Sequence, residues 1–225
     1  MAVEDFSFRD RAEAGRALAA ELVRYEPRQP VVLALPRGGV PVAYEVAKEF
    51  RAPLDLVFVR KIGAPRDLEL GLGAVVDGLH PQVVLNQEIV AQLEVPSAYI
   101  EKETRRQLRE IERRRKRFLR GRHPIDIEGR VAIVVDDGIA TGGTARAALQ
   151  GLSRARPAHL VLAVPVAPPD IVKQLQSEAD DIVCLVTPDP FYSVGWHYAD
   201  FLQTSDTEVI ALLDQARKWM NESTS

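Results

Sequence analysis

The 225-residue sequence has one cysteine, four histidines and no hydrophobic stretch long enough to span a membrane. The single cysteine, Cys184, excludes disulfides within the chain, and its apolar surroundings, "DIVCLV", predict a buried structural thiol. His80, His123, His159 and His197 are scattered without the spacing of metal ligands, so we predict no zinc site. The opening "MAVEDFSFRDRAEAG" is polar and acidic and lacks the apolar segment of an export signal. We therefore expect a cytoplasmic protein with no membrane partner.

Several common nucleotide-binding and catalytic motifs are also missing. The sequence contains neither the G-x-x-x-x-G-K-S/T loop of P-loop NTPases nor the G-x-G-x-x-G dinucleotide fingerprint. It also lacks the G-x-S-x-G elbow of serine hydrolases. These absences exclude the usual forms of NTP hydrolysis, dinucleotide binding and serine nucleophile chemistry.

Acidic and basic residues nearly balance, with a net charge of −3. Residues 102–122 are the exception, because they hold 11 lysine or arginine residues and 3 glutamates, a local charge of +8. Glu110 with Arg114 and Glu112 with Lys116 have the spacing of stabilising pairs on a solvated helix, which is the interpretation we favour. A nucleic-acid surface is the alternative, and it is less favoured because the segment has a single aromatic residue, Phe118.

Apolar runs alternate with segments of helical periodicity along the chain. The runs "PVVLAL", "LDLVFV", "RVAIVV", "AHLVLAVPV" and "DDIVCLV" are typical of buried strands, and amphipathic segments such as "VPVAYEVAKEF" and "TARAALQGLSRA" lie between them. This alternation predicts an α/β fold with a parallel sheet and helices on both faces. "LGAVVDG" and "PQVVLN" predict a hairpin, and residues 97–120 predict a long charged helix.

The stretch "VAIVVDDGIATGGT" leads from one of these strands into a helix. Ligands of such sheets bind beyond the carboxyl ends of the strands, which is where this stretch lies. Its glycines allow close backbone approach, while threonine hydroxyls and the first amides of the helix can bind a phosphate. The predicted phosphate loop consists of Gly138, Ile139, Ala140, Thr141, Gly142, Gly143 and Thr144.

Two carboxylates, Asp136 and Asp137, directly precede this loop. They would repel a phosphate unless they bind another part of the same ligand, such as a sugar diol or a divalent cation. A ribose 5-phosphate fits both parts of the motif, with its diol on the aspartates and its phosphate in the loop. A turn with two capping aspartates is the alternative, although such a turn requires neither paired glycines nor threonines.

"VVDDGIATGGT" resembles the signature of the type I phosphoribosyltransferases, enzymes that use phosphoribosyl pyrophosphate (PRPP), and "ATGGT" is most similar to the adenine enzymes. The resemblance implies a three-layer parallel-sheet α/β fold in a single domain over residues 1–225. It also implies a hood, formed by an insertion at about 62–122 that contains the long charged helix and by a C-terminal segment at about 188–203. Asp136 and Asp137 would hold the ribose hydroxyls and Mg²⁺, and Gly138 to Thr144 would hold the 5-phosphate.

Two further loops extend the resemblance. "LALPRGGVPVA" is similar to the family's pyrophosphate loop, in which Gly38 and Gly39 would expose amides and Arg37 would add charge. "VRKIGAP" lies at the end of another predicted strand and is similar to the "RK" followed by Gly and Pro of adenine enzymes, which implies that Arg60 and Lys61 bind the anion. Without the resemblance, these stretches could be a tight turn and an exposed basic strand end.

Residues 188–201, "PDPFYSVGWHYADF", concentrate aromatic side chains in a chain that is only 6% aromatic. An aromatic cluster on a loop can stack a nucleobase. The stretch resembles the hood segment of 6-oxopurine phosphoribosyltransferases, with one extra residue before Asp200. The resemblance implies a base site with Tyr192 over the purine, Val194 offering backbone groups and Trp196 in the same segment. A small hydrophobic core that closes a lobe is the alternative.

Ala140 stands where the 6-oxopurine enzymes carry an aspartate that accepts a proton from the base. The adenine enzymes also have alanine there and use a carboxylate from a flexible loop, for which Glu69 in "RDLELGLGAV" is the nearest candidate. The sequence thus combines adenine-type loops with an oxopurine-type hood, and it does not identify the acceptor base.

The resemblance implies a Mg²⁺-dependent transfer of ribose 5-phosphate from PRPP to a nucleobase, with purines favoured. The spacing of the residues alone indicates a ribose-phosphate site with neighbouring anion-binding loops. Arg37, Lys61 and Glu69 are the candidate catalytic residues, and the resemblance implies a homodimer. A PRPP-binding regulator of the same fold, which uses its basic helix on nucleic acid, stays open as an alternative. A phosphoribosyl-binding protein without transfer activity, or one that acts on a non-base acceptor, is a second alternative. Binding without transfer is the favoured one, because Ala140 removes one recognised catalytic group.

Overall fold

The computed structural model describes residues 8–65, 67–68 and 70–222. These residues form the strands β1 (Val31–Ala34), β2 (Leu54–Leu56), β3 (Val59–Gly63), β4 (Gly71–Val76), β5 (Gln82–Leu85), β6 (Val131–Val135), β7 (His159–Val166) and β8 (Asp181–Val186). The α-helices are α1 (Arg11–Leu22), α2 (Gly39–Glu49), α3 (Gln87–Gln92), α4 (Ser97–Leu119), α5 (Gly143–Ser153), α6 (Pro169–Leu175) and α7 (Asp206–Glu222). Short 3-10 helices span Val23–Arg28 and Val194–His197.

The central sheet is parallel and has the strand order β2-β1-β6-β7-β8. Strands β1 and β6 are buried along their whole length, as their continuous apolar sequences predict. In their register Ala34 lies opposite Val135, so the carboxyl ends of these two strands are neighbours. The predicted parallel α/β fold is confirmed.

Alternate residues of each strand divide the hydrophobic core between the two faces of the sheet. Val32 and Ile133 belong to the cluster that includes residues of α1, α2 and α7. Leu33 and Val134 belong to the cluster that includes residues of α5 and α6. Helices therefore cover both faces, and the sheet is the middle of three layers.

A second sheet is antiparallel and has the order β3-β4-β5. The predicted hairpin is confirmed, because β4 pairs with β5 and places Ala74 opposite Val84. The segment "LDLVFV" differs from its prediction as one strand: β2 ends at Leu56, and the chain then enters the small sheet as β3. Arg60 and Lys61 thus lie within a strand, opposite Val75 and Ala74, rather than in a loop at a strand end.

Helix α4 confirms the predicted long charged helix. Its apolar side joins the core through Ile111 and Phe118, and Phe118 stacks on Phe58 with ring centroids 6.0 Å apart. None of the described helices is both long and apolar enough to cross a membrane. The single-domain assignment and the limits of the hood stay predictions.

Most charges of α4 are paired within the molecule. Glu110 accepts hydrogen bonds from Arg113 at 2.9 Å and from Arg114 at 2.8 Å, and these bonds lower the pKa of Glu110 to about 2. Lys116 pairs with Glu112 at 2.7 Å. The pairs that α4 and the turn after it form with other segments are Arg115–Asp77, Arg117–Asp206, Arg120–Asp214 and Arg122–Asp214.

Candidate functional site

The carboxyl ends of β1 and β6 bring the "PRGG" turn against the acidic pair. A β-carbon at Gly38 would lie 2.1 Å from Asp137 Oδ2, and one at Gly39 would lie 2.8 Å from the Cα of Asp136. Gly38 has φ −59° and ψ −37°, values that any residue adopts. Glycine is therefore required at this position by close packing against the acidic pair, and not by the backbone conformation of the turn.

The acidic pair is half-buried and electrostatically unusual. Asp136 Oδ1 accepts a hydrogen bond from the backbone N–H of Asp137 at 2.9 Å. Burial raises the pKa of Asp136 well above its ordinary value, and the charge of Asp137 adds to the shift. Burial also raises the pKa of Asp137, whereas a hydrogen bond from Arg11 opposes the rise. Two adjacent, poorly solvated carboxylates favour a partner that brings protons or positive charge, such as hydroxyl groups or a cation.

The phosphate loop is anchored at one end and exposed at the other. Ile139 is buried, and its N–H donates to the carbonyl of Val166 at 2.9 Å. Gly142 has φ +75°, a left-handed conformation that favours glycine, and α5 begins at the next residue. The remaining loop residues, Ala140, Thr141, Gly143 and Thr144, are exposed. The unpaired first amides of α5 and two hydroxyl groups are thus available to an anion.

A cleft of about 760 Å³ lies between α5 and the small sheet. It brings Arg60 and Lys61 of β3 to the same cavity as Thr141, Gly143 and Thr144. Two stretches that lie far apart in the sequence, the C-terminal part of the phosphate loop and the basic strand, therefore line one cleft. This volume lies within the range of small-ligand sites.

Arg146 and Gln150 line the same cleft, although the sequence analysis did not identify them. Arg146 lies one helical turn after Gly143, so helix periodicity alone could have placed it on the loop's side of α5. Its Nη2 donates weakly to Gln174 Oε1 at 3.4 Å. Its buried Nε has no hydrogen-bond partner among the described residues, although it lies 3.6 Å from Glu178 Oε1.

Arg37 is separated from the cleft in this structure. Its Nη1 donates to Asp206 Oδ1 at 3.1 Å, at the first residue of α7. Asp206 also pairs with Arg117 of α4. The peptide bond between Pro36 and Arg37 is cis. Arg37 lies beside the glycine turn, and its guanidinium faces α7.

The aromatic segment contacts the site through Val194. A β-carbon at Gly138 would lie 2.5 Å from Val194 Cγ1, so the segment packs on the first residue of the phosphate loop. Tyr192 and Trp196 are 69% and 64% exposed, and their ring centroids are 5.4 Å apart. Tyr198, in contrast, is buried. The segment therefore combines an exposed aromatic pair with a small packed core around Tyr198, and the base site stays a prediction.

Glu69, the predicted proton acceptor, lies outside the described residues. Arg11 was missed by the sequence analysis, although it pairs with Asp137 at 2.7 Å. Nothing in the local pattern of "FRDRAEAG" indicates this contact, because the two residues are 126 positions apart.

No group of three or more histidine, cysteine, aspartate or glutamate side chains that could bind a metal occurs among the described residues. Asp136 and Asp137 are two oxygen donors of the type that Mg²⁺ prefers, and Mg²⁺ usually combines one or two carboxylates with water and substrate phosphates. The pair fits a Mg²⁺ ion only together with ligand oxygens.

Comparisons with known proteins agree with this geometry. The phosphoribosyl transferase domain family matches residues 83–199. Two curated proteins from different strains of Mycobacterium tuberculosis, named provisionally as phosphoribosyl transferases, are each 50% identical over 213 residues, which cover 94% of this chain and 47% of theirs. The chain thus spans about half the length of these relatives.

A solved structure, that of TT1426 from Thermus thermophilus, is 41% identical with a TM-score of 0.82, and the match covers 93% of this chain and 98% of that one. The family match covers more than half of the sequence and includes the acidic pair, the phosphate loop and part of the hood. The chain therefore belongs to the phosphoribosyltransferase family that its signature resembles.

Proposed function

We propose that this protein transfers ribose 5-phosphate from PRPP to a ring nitrogen of a nucleobase and releases pyrophosphate. One observation carries the proposal: a glycine turn packs against two half-buried carboxylates, which are followed directly by an exposed loop of glycine and threonine. A plain turn requires neither the closely packed carboxylates nor the exposed loop, whereas a sugar phosphate would bind to both.

The donor would bind along the phosphate loop. The ribose hydroxyls donate hydrogen bonds to Asp136 and Asp137, which are poorly solvated and favour such partners. The 5-phosphate receives hydrogen bonds from the first amides of α5 and from the hydroxyls of Thr141 and Thr144.

The leaving group would be stabilised by cations and amides from separate segments. Gly38 and Gly39 present backbone N–H groups, and Arg60 and Lys61 present positive charge from β3. Arg37 reaches the same group only after it leaves Asp206, so we expect donor binding to break this pair.

Mg²⁺ belongs to the same proposal, with Asp136 and Asp137 as its protein ligands. When bound, the ion neutralises charge that develops on the departing pyrophosphate. The chain's own residues fix the sugar, shield it from water and keep the acidic pair close to the phosphate loop.

The acceptor would lie under the aromatic segment. Tyr192 is exposed and free to stack a base, Trp196 lies beside it, and Val194 holds the segment on Gly138. A purine offers the larger stacking surface, so purines are the favoured acceptors. Glu69 is proposed as the proton acceptor.

Donor fragments test the assignment of each part. In calorimetry with Mg²⁺, we expect Thr141→Ala to weaken ribose 5-phosphate binding on the order of tenfold and to leave pyrophosphate binding unchanged. Arg60→Gln should weaken pyrophosphate binding and leave ribose 5-phosphate binding unchanged. The paired change of Asp136→Asn with Asp137→Asn should abolish binding of both PRPP and ribose 5-phosphate, and retained affinity would contradict the diol assignment.

A further inference from the structure

Arg11, the first residue of α1, lies beside the acidic pair with its guanidinium almost enclosed. Its Nε and Nη2 approach Asp137 Oδ2 at 2.8 and 2.7 Å, and its Nη1 donates to the carbonyl of Leu202 at 2.8 Å. The guanidinium carbon lies 3.9 Å from the centroid of the Phe201 ring. The side chains of Arg11 and Asp137 are only 11% and 14% exposed. Every nitrogen of the Arg11 side chain therefore has a defined partner.

The Asp137 carboxylate is confined by this arrangement. Gly38 packs against one side of it, because a β-carbon there would lie 2.1 Å from Oδ2. Arg11 holds the same oxygen, and the Tyr198 hydroxyl donates to the backbone carbonyl of Asp137 at 2.6 Å. Gly38 and Arg11 together fix the orientation of the Asp137 carboxylate.

The start of α1 is itself fixed to the hood. The N–H of Phe8 donates to the carbonyl of His197, and the N–H of Ala199 donates to the carbonyl of Phe8, both at 2.8 Å. Asp10 caps α1 by accepting from the N–H of Glu13 at 2.8 Å. Arg11 thus connects a carboxylate of the donor site to the segment that carries Tyr192 and Trp196.

Stability is a weak reason for such a contact. Removing two charges from water costs about as much as their attraction returns, and apolar replacements of buried ion pairs are often neutral or stabilising. A guanidinium, however, fixes a carboxylate in position because its planar fork defines both distance and angle. A buried arginine on a functional carboxylate is better explained by orientation.

We propose that Arg11 is a positioning residue of the donor site, which holds Asp137 in the orientation that the ribose hydroxyls require. The proposal rests on the proposed function. It differs from a structural role in one respect: Arg11 acts on the donor through the Asp137 carboxylate, so its effect on PRPP affinity should be lost when an uncharged amide replaces that carboxylate.

A double-mutant cycle separates the two roles. PRPP affinity would be measured by calorimetry with Mg²⁺ for the wild type, Arg11→Gln, Asp137→Asn and the double variant, and melting temperatures would be recorded for each. We expect Arg11→Gln to weaken PRPP binding on the order of tenfold, as the loss of a supporting residue does at other preorganised sites. The double variant should bind PRPP within about twofold of Asp137→Asn alone.

Arg24 provides the matched control. It also pairs with an aspartate, Asp181, at 2.6 Å and lies over an aromatic ring, that of Tyr25, at 5.0 Å. Asp181 is the first residue of β8, at the opposite end of the sheet from the acidic pair. Arg24→Gln should therefore leave PRPP affinity unchanged. Arg11→Lys keeps the positive charge but loses the planar guanidinium, so it should retain part of the PRPP affinity. It also replaces Arg11→Gln in the test if that variant does not fold.

The outcomes distinguish this proposal from the proposed function. If Asp137→Asn weakens PRPP binding but Arg11→Gln and Arg11→Lys do not, the positioning role is overturned and the donor site stands. If the two losses add in the double variant, Arg11 acts independently of Asp137 and the proposal is also overturned. If Asp137→Asn leaves the affinity unchanged, the diol assignment itself fails, and the role of Arg11 fails with it.

Discussion

Gly38 shows at the scale of one residue why the acidic pair and the glycine turn belong together. Its backbone conformation is open to any residue, so conformational freedom does not explain the glycine. The carboxylate of Asp137 occupies the space that a side chain would need. The sequence could suggest a glycine loop here, but only the structure shows that the glycine faces the acidic pair.

Gly38→Ala should displace Asp137 and weaken PRPP binding at least tenfold. The overlap should also lower the free energy of unfolding by about 1–3 kcal/mol, as overpacking does. Gly143→Ala is the control for stability, because a β-carbon there has no neighbour within 4 Å. We expect urea unfolding to show a change of less than about 0.5 kcal/mol for that variant. An unchanged PRPP affinity in Gly38→Ala would argue against a role for the Asp137 carboxylate.

Tyr192→Ala tests the acceptor site. Tyr192 is 69% exposed, so its removal should leave the melting temperature and PRPP affinity unchanged. Stacking of a base on an aromatic ring contributes about 1–3 kcal/mol, which predicts an acceptor affinity at least fivefold weaker. Steady-state kinetics with varied acceptor and varied donor separate the two effects. A lower melting temperature would instead assign the ring to packing of the hood.

Cys184 should be an unreactive thiol. Burial raises its pKa from 9.0 to about 11, so at pH 8 its thiolate fraction is about 100-fold below that of an ordinary cysteine. Because the thiolate is the reactive form, labelling by iodoacetamide should be slow at pH 8 and accelerate as the pH rises toward 11. Urea should remove the difference from a free cysteine. The structure places Cys184 as half-buried and not fully buried as its sequence predicts, and rapid labelling of the folded protein at pH 8 would contradict even this partial enclosure.

At the scale of elements, the sequence predicts best what is locally encoded. The parallel strands and α4 follow from apolar runs and helical periodicity, and the structure confirms them. Strand β3 was not predicted, because "LDLVFV" contains no glycine or proline that would indicate a turn, and its break between Leu56 and Val59 depends on pairing with β4. This pairing places Arg60 and Lys61 in the lining of the cleft, although Arg60 Nε donates to Gln107 of α4 at 3.2 Å.

The basic helix offers less free charge than its sequence indicates. Glu110, Glu112 and Asp206 each pair with basic residues of α4, so we expect no binding of nucleic acid beyond weak nonspecific association. A gel-shift series with single- and double-stranded oligonucleotides from about 50 to 200 mM salt checks this expectation. Binding tighter than about 10⁻⁶ M at roughly 150 mM salt, with a steep salt dependence, would favour the regulator alternative.

At the scale of the whole molecule, the site forms from distant parts of the chain. The acidic pair and the glycine and threonine loop after it carry a local signature, so the sequence alone predicts them as a site. The contacts of Arg11 with Asp137 and of Val194 with Gly138 join segments far apart in sequence, and no local pattern encodes them. The homodimer implied by the resemblance stays a prediction, which sedimentation velocity can check.

Release of pyrophosphate is the most direct test of the proposed transfer. Purified protein would be incubated with Mg²⁺ and PRPP, and purine and pyrimidine bases would be added one at a time while pyrophosphate is measured. The account predicts release that depends on a base, most readily a purine, and that is lost when Asp136→Asn and Asp137→Asn are combined. Tight PRPP binding without release in the presence of any base would contradict transfer to a nucleobase and favour a PRPP-binding protein.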